Sequence, residues 1–396
     1  MKVVMVGPFG LSPHGTMSRR ALPLAKALVA RGHDVEVVLP PWSCPEDSGR
    51  AWTENGVAVH NVRLKPSIPV IGDILLLWRL VRRALDGCPR VLHFFKPKGY
   101  SGLAALVVWC LRGLRLIDVR VVLDSDDWEG RGGWNDLGDY SWLERRFFAW
   151  QERWGMTHCQ ALTVVSRTLR AMALEMGLEP DLIFYLPNGV SFDGEVPDPR
   201  AGVIVRRKLG MGNDPVVLLY TRFFEFDPGR VIDILNKVVM GAPSARLLVV
   251  GRGLFGEEER FLALAEDAGL GSRVTYVGWQ DGADLPGFFA ASDIAICPLE
   301  DTLLNRARCP AKVVDLMAAG LPVVADRVGQ ISEYIEHLSS GYLVAPGDSD
   351  SFARGILGLL RDEQMRGLLG SEARRRAREL FSWHKLAAVA EEAYLG

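Results

Sequence analysis

The 396 residues contain six cysteines but no Cys-x-x-Cys pair and no Cys/His spacing that would tie a zinc ion. Scattered singly, Cys44, Cys88, Cys110, Cys159, Cys297 and Cys309 are expected to be reduced, mostly buried thiols. A large excess of one charge is missing too. A net charge of -2, with Lys and Arg spread over both halves, offers no field for gathering nucleic acid, so nucleic acid is not expected as a partner. The longest uncharged apolar run, roughly Tyr100 to Leu111, is closed by Arg112 and is too short to span a bilayer. MKVVMVGPFG enters a strand and a glycine turn with none of the features of an export leader, so a cytoplasmic protein is expected. There is also no G-x-G-x-x-G turn followed by a ribose-binding acid, which leaves a nicotinamide dehydrogenase remote.

What is present points to a globular α/β protein. With 48% apolar and 24% charged residues the chain can bury ordinary cores, and its length is that of two domains. Short runs rich in Val, Ile and Leu alternate with helical segments, the pattern of parallel strands covered on both faces. Strands are expected at 3–7, 35–40, 90–95, 119–124 and 161–166, and again at 216–222, 245–253, 273–279, 293–299, 321–326 and 341–346. Helices are expected from Ser101 to Arg112 and over 74–85. PNGVSFDGEVPDPRAG (187–202), rich in Pro and Gly, reads as a linker between a domain of residues 1–190 and one of residues 203–379. Two doubly wound sheets facing each other would define a cleft beyond the carboxyl ends of their strands, with the linker as its hinge.

CPAKVVDLMAAGLPVVADRVGQISEYI (309–335) is the most informative stretch. Cys309, Pro310 and Ala311 precede a helix whose first N–H groups attract anions. Lys312 in the first turn opposes the helix dipole, which suggests pairing with phosphate, although an exposed lysine on a solvated face would look the same. Asp315, at i+3, can share a ligand with Lys312 or simply pair with it. Gly7, Gly10 and Gly15 follow the first strand, where backbone can approach a phosphate or sugar. DSDDWEGRGGWND (124–136) places Asp126 and Asp127 after a strand, either to orient an acceptor hydroxyl or as a solvated acidic turn. Nine of the eleven tryptophans lie in the first half, suited to stacking on sugars or lying at a lipid surface. ILLLWRLVRRAL (74–85) is amphipathic and basic; a core-packed helix with an arginine-lined outer face explains it as well.

KVVDLMAAGLPVVADRVGQISEYI followed by SSGYLVAPGD resembles the sugar-nucleotide site of the retaining GT-B glycosyltransferases of family 4. GHDV (32–35), TVVSRTL (163–169), LPNGVSFD (186–193), LLYTR (218–222), LLVVGRG (247–253) and VTYVGW (274–279) fall in the same order as in that family, so the resemblance covers nearly the whole chain. It implies that Asp315 is the second acid of the family's pair and holds the donor ribose, whereas the first acid is replaced by Ala307, with Asp301 or Asn305 as substitutes. Arg222 matches the diphosphate arginine. The lysine that usually follows is missing near Asp227, so Lys312 is expected to supply the second positive charge. Pro310, Ala311, Gly251, Arg252, Gly253 and Trp279 fall in the implied donor site. His14-Gly15 stands where the family has a Gly-Gly pair. His93 and Phe95 occupy the His-x-His positions, with Lys96 and Lys98 as stand-ins for the missing second histidine.

The resemblance thus implies two Rossmann-like domains and transfer of a sugar from a nucleoside diphosphate sugar to an acceptor hydroxyl with retention. Arg222 and Lys312 would act on the leaving group, and Asp126, Asp127 and Lys96 on the acceptor side. No cofactor and no metal is expected. The acceptor is expected to be a glycan, a lipid-linked or a small molecule, with peripheral membrane contact through Arg79, Arg82 and Arg83 if it is lipid-linked. The segment from about 380 to 396 is expected to pack back on the first domain. A non-catalytic nucleotide-sugar sensor or assembly protein is the alternative that Ala307, Phe95 and the missing lysine would favour.

Overall fold

The structure, a computed structural model, describes residues 1–12, 15–64, 70–192 and 197–396. The chain divides into two compact units: Met1–Ser191, Ala307–Cys309 and Trp383–Gly396 form one, Phe192–Arg306 and Pro310–Ser382 the other.

The first unit contains β1 (Lys2–Val6), β2 (Asp34–Leu39), β3 (Ala51–Glu54), β4 (Val57–Asn61), β5 (Val91–Phe95), β6 (Arg120–Ser125), β7 (Ala161–Val164) and β8 (Ile183–Tyr185). Their order is β3-β4-β2-β1-β5-β6-β7-β8, and every pairing is parallel except that of β3 with β4. Covered on both faces, β5 (VLHFF) is buried throughout. The order reverses between β1 and β5, so the loops leaving these neighbouring strands diverge and open a crevice at their carboxyl ends. The β3–β4 hairpin was not expected. Asn55 and Gly56, with φ of 49° and 83°, supply the two positive values of a tight two-residue turn.

In the second unit β9 (Val216–Thr221), β10 (Arg246–Gly251), β11 (Val274–Tyr276), β12 (Ile294–Cys297), β13 (Val323–Asp326) and β14 (Tyr342–Val344) form a parallel sheet of order β11-β10-β9-β12-β13-β14. Its reversal lies between β9 and β12. The expected helices are found at Gly99–Gly113 and Ile71–Ala84. A helix, Pro199–Lys208, begins inside the segment expected to be linker, because Asp198 accepts the Arg200 N–H and Pro199 supplies a preset φ at the first turn.

The carboxyl-terminal helix Trp383–Leu395 buries Trp383, Leu386, Ala390 and Tyr394 in the same core as Leu22, Ala25 and Leu28 of helix Leu22–Ala30. A buried polar chain fastens it. Arg20 is wholly buried: its Nε and Nη2 donate to the two oxygens of Asp124 at 2.8 and 2.6 Å, and the Leu186 and Pro187 carbonyls and the Asn188 side-chain oxygen accept its other bonds. The Thr163 hydroxyl donates to Asp124 at 2.6 Å and therefore accepts from His93 Nε2 at 3.2 Å. That leaves His93 Nδ1 to accept from the Tyr394 hydroxyl at 2.8 Å. His93 is thus a neutral structural link, its pKa held well below the usual histidine range by burial and by Arg20. Phe95, at the other position of that motif, is buried as well.

This predicts a pH signature. Because His93 takes up a proton more readily when unfolded, it costs no stability above the unfolded value of about 6.5 and destabilises increasingly below it, by up to about 1.4 kcal/mol per pH unit. Urea titrations of His93→Gln and the parent are expected to diverge below about pH 6.5, the variant losing less stability with falling pH.

Candidate active site

At the reversal in the second sheet, the loop after β9 brings two of the sequence-derived residues onto one carboxylate. Phe223 adopts φ 68°, which turns the chain so that Glu225, only 6% exposed, faces back toward the strand end. Glu225 Oε2 accepts the Thr221 hydroxyl at 2.7 Å and the Arg222 N–H at 3.1 Å; Oε1 lies 3.2 Å from Lys312 Nζ. Lys312 also stands 5.4 Å over the Tyr220 ring. It reaches this place from the first turn of helix Ala311–Ala318, whose N-cap is the buried Pro310. The Arg222 guanidinium has no hydrogen bond or ion pair among the described residues. Two cationic residues thus stand at the carboxyl end of β9, Lys312 held through its ammonium and Arg222 through its backbone N–H.

The surroundings are firm. Asn305 donates through Nδ2 to the Glu225 and Glu300 carbonyls, both at 2.9 Å, tying the loop after β12 to that after β9. Asp326, at the end of β13, accepts two bonds from Arg230 at 2.7 and 2.8 Å and the Leu299 N–H at 2.9 Å. Its pKa is raised by burial, with Arg230 opposing. Asp227, where the family's lysine would stand, caps helix Pro228–Gly241 by accepting the Gly229 and Arg230 N–H groups. Ala307 is wholly buried; of its suggested substitutes, Asp301 pairs with the exposed Arg306, and Asn305 holds the two carbonyls just named. Asp315 is half-buried on the same helix as Lys312.

After β10 the picture differs. Gly251 has φ 135°, and a Cβ there would come within 1.9 Å of the Thr221 carbonyl oxygen, so packing alone demands glycine. The N–H groups of Gly253 and Phe255 are taken by Glu258 and Glu257 at 2.9 and 2.8 Å. Arg252 and Trp279 are exposed on neighbouring loops, joined where the Gly251 N–H donates to the Gly278 carbonyl at 2.9 Å.

The reversal in the first sheet holds a second charged cluster. Phe95 lies in register with Asp124, so the residues just past β5 and β6 meet. Lys96, with φ 49°, is buried, its Nζ 2.9 Å from both Asp127 Oδ2 and Glu129 Oε1 and 3.8 Å from Asp126. Lys98 lies 2.9 Å from the other oxygen of Glu129 and 2.6 Å from Asn135 Oδ1. The Thr16 hydroxyl, beside Gly15, donates to Asp126. Gly15 itself donates its N–H to Ser18 Oγ at 3.1 Å, and His14 lies outside the described residues. Burial lowers the Lys96 pKa, but Asp126, Asp127 and Glu129 outweigh it and leave it well above the usual lysine range. Asp126 and Asp127 are pushed up by burial against the pull of Lys96. Glu152, buried beneath and accepting the Glu129 N–H at 2.5 Å, is pushed well above the carboxylate range by burial and by Glu129.

The sequence reading found Lys96, Asp126 and Asp127 but missed Glu129 and Glu152, and found Arg222 and Lys312 but missed Glu225. Glu129 lies in the quoted acidic stretch and Glu225 in FFEF, yet neither spacing reveals a partner brought in from another strand.

Two doubly wound α/β units, each with its charged cluster at the carboxyl ends of the strands where the order reverses, define the GT-B class. Residues 15–189 match the model of the glycosyl transferase 4-like domain and residues 225–362 that of glycosyl transferases group 1, together most of the chain. The chain belongs to this group of glycosyltransferases. It is 28% identical over 207 residues to the GDP-mannose-dependent alpha-(1-6)-phosphatidylinositol monomannoside mannosyltransferase of Mycobacterium tuberculosis, covering 52% of this chain and about half, 53%, of that enzyme. Its identity to the phosphatidyl-myo-inositol mannosyltransferase of Mycobacterium leprae is 26% over 407 residues, covering 100% of this chain and 96% of the relative. Sucrose-phosphate synthase from Thermosynechococcus elongatus superposes with a TM-score of 0.76 at 21% identity, covering 100% of this chain and 98% of that one.

Removing Lys96 tests how the first cluster is held together. Lys96→Met leaves the buried Glu129 and the half-buried Asp126 and Asp127 facing one another, so a loss of about 3 kcal/mol, the lower end of the range for breaking a buried pair, is expected at neutral pH. The carboxylates escape the repulsion by protonating, so urea denaturation is expected to show a smaller loss as the pH falls.

Proposed function

We propose that this protein transfers a hexosyl group from a nucleoside diphosphate sugar to an acceptor hydroxyl with retention of configuration. The observation that carries the reading is the meeting of the Lys312 ammonium and the Arg222 backbone N–H on Glu225 at the reversal of the second sheet. Cations fixed before the reaction stabilise the charge that grows on a departing diphosphate, because they need no reorganisation when it forms. Glu225 keeps Lys312 extended toward the end of β9 in the absence of ligand, so a diphosphate meets an already placed ammonium. Asp315, one turn along the same helix, takes the donor ribose.

Asp127 and Asp126, oriented by Lys96 and Thr16, serve the acceptor: a carboxylate held in this way accepts the hydrogen bond of an incoming hydroxyl. Group membership and the nucleotide-dependent relatives support this assignment, and the phosphatidylinositol-based names among those relatives make a lipid-linked acceptor the first to test. The sensor reading keeps one observation in its favour, the buried Ala307 at the place of the first acid.

Kinetics with a panel of nucleotide sugars separate the two, since a sensor binds donor without releasing nucleoside diphosphate. Lys312→Ala and Arg222→Ala are each expected to weaken donor binding or transfer by roughly ten- to a hundredfold. The double variant should lose less than the product of the two, as expected of groups sharing one ligand. Asp315→Asn should raise KM more than it lowers kcat. A Lys312→Ala enzyme within about twofold of the parent would remove Lys312 from the diphosphate site.

A further inference from the structure

The sequence led to an expectation of membrane contact through Arg79, Arg82 and Arg83, but the structure spends two of these elsewhere. Arg79 donates to the Arg63 and Leu64 carbonyls at 2.9 and 2.7 Å, and Arg83 pairs with Glu36 and Asp86 at 2.7 and 2.6 Å. Only Arg82 faces outward, stacked on Trp78. What these helices present to solvent is mainly apolar.

Helix Gly99–Gly113 packs between Ile71–Ala84 and Trp142–Thr157 on one face of the first sheet. It has no charged residue from Gly99 to Leu111, yet its outer side, including Leu103, Leu106 and Val107, is partly exposed, and Trp109 is 40% exposed. A surface helix ordinarily turns charge toward water. Its neighbours continue the pattern. Ile71, Ile74 and Trp78, at i, i+3 and i+7, are exposed along one helix. Leu143, Phe147 and Trp150, at i, i+4 and i+7, are exposed along the other, Phe147 by 40% and Trp150 by 47%. The aromatic rings form a connected shelf: Phe147 stacks on Trp150 at 5.9 Å, Trp150 meets Trp154 at 6.3 Å, and Trp154 meets Trp109 of the central helix at 5.7 Å.

The charge on these helices has one dominant sign. They carry seven arginines and three acids, in a chain whose net charge is -2. Glu152 is buried, Asp73 accepts from the Tyr100 hydroxyl at 2.5 Å, and Glu144 closes a capping box on Ser141. Arg82, Arg146 and Arg153 remain exposed among the aromatic rings, Arg146 lying over Trp142.

We propose that the outer face of these three helices docks on an anionic lipid bilayer. A broad shelf of tryptophan, phenylalanine and isoleucine edged by arginines matches the headgroup boundary: rings enter the interface while guanidinium groups meet lipid phosphates. No helix among the described residues is long and apolar enough to cross a membrane, so the contact is one of lying on the surface. The shelf begins at Trp142, two residues after Tyr140, whose hydroxyl is 3.3 Å from Lys98 in the first charged cluster. A bilayer on this face therefore brings headgroups to the edge of that cluster. The docking is read without donor, so it stands or falls separately from sugar transfer.

Flotation of the full chain with vesicles of phosphatidylcholine alone and mixed with phosphatidylglycerol tests it, alongside light scattering without lipid. Binding is expected to the mixed vesicles, and added salt should weaken it. Phe147→Ser combined with Trp150→Ser should reduce partition at least roughly tenfold, while the circular dichroism and melting temperature stay those of the parent. Arg146→Glu with Arg153→Glu should abolish the preference for anionic vesicles. Failure to float with either vesicle, or unchanged partition of the Phe147/Trp150 variant, would overturn the proposal. So would a dimer that the same variant dissolves and that lipid does not compete with, since the shelf would then be an interface between two copies.

Discussion

Each sheet reverses its strand order once, and the placing of charge in this protein follows from where it does so. Between β1 and β5, and again between β9 and β12, neighbouring strands send their loops in opposite directions, so backbone N–H groups and side chains gather there with no helix packed directly across them. Buried charge is costly unless it is paired. At both reversals the fold brings cations and carboxylates from distant parts of the chain close enough to pair: Lys96 with Asp127 and Glu129 in one unit, Lys312 with Glu225 in the other.

The two clusters differ in a way that suits different tasks. Around Lys96 three carboxylates crowd one ammonium, a second ammonium is shared with Asn135, and a neutral-leaning Glu152 lies beneath. Acidic and short of donors, it suits hydroxyl groups that give hydrogen bonds. Around Glu225 one carboxylate serves a lysine and the backbone of an arginine, so cations are in excess and the site suits an anion. The polar chain from Arg20 through Asp124, Thr163 and His93 to Tyr394 lies just below the first cluster and fixes the terminal helix to the same strand ends.

Much of the architecture was legible in the sequence because parallel strands buried on both faces read as continuous apolar runs; most strand bounds moved by only a residue or two, and more where a run such as 273–279 continued past its strand. The β3–β4 hairpin was overlooked although Asn55-Gly56 announces it, because AWTE and VAVHN alternate too weakly to stand out. Roles that depend on strand adjacency were hidden. Glu225 meets Asn305 across 80 positions, and Lys96 meets Glu129 only because β5 and β6 are neighbours. His93 fills one position of the family's His-x-His pattern, but a histidine at a strand end is more often structural, and its depth in the sheet makes it so. The tryptophan-rich first half pointed to sugar stacking or a lipid surface, but only the packing shows which rings, those of Trp142–Thr157 among them, stand exposed.

The central claim is that the second unit receives a nucleoside diphosphate at the carboxyl end of β9. A crystal structure of the protein with a bound nucleoside diphosphate tests it most directly. The account predicts diphosphate oxygens within hydrogen-bond reach of Lys312 Nζ and the Arg222 guanidinium, with the ribose turned toward Asp315. A diphosphate bound elsewhere, with the Lys312–Glu225 pair undisturbed and Arg222 out of reach, would contradict it.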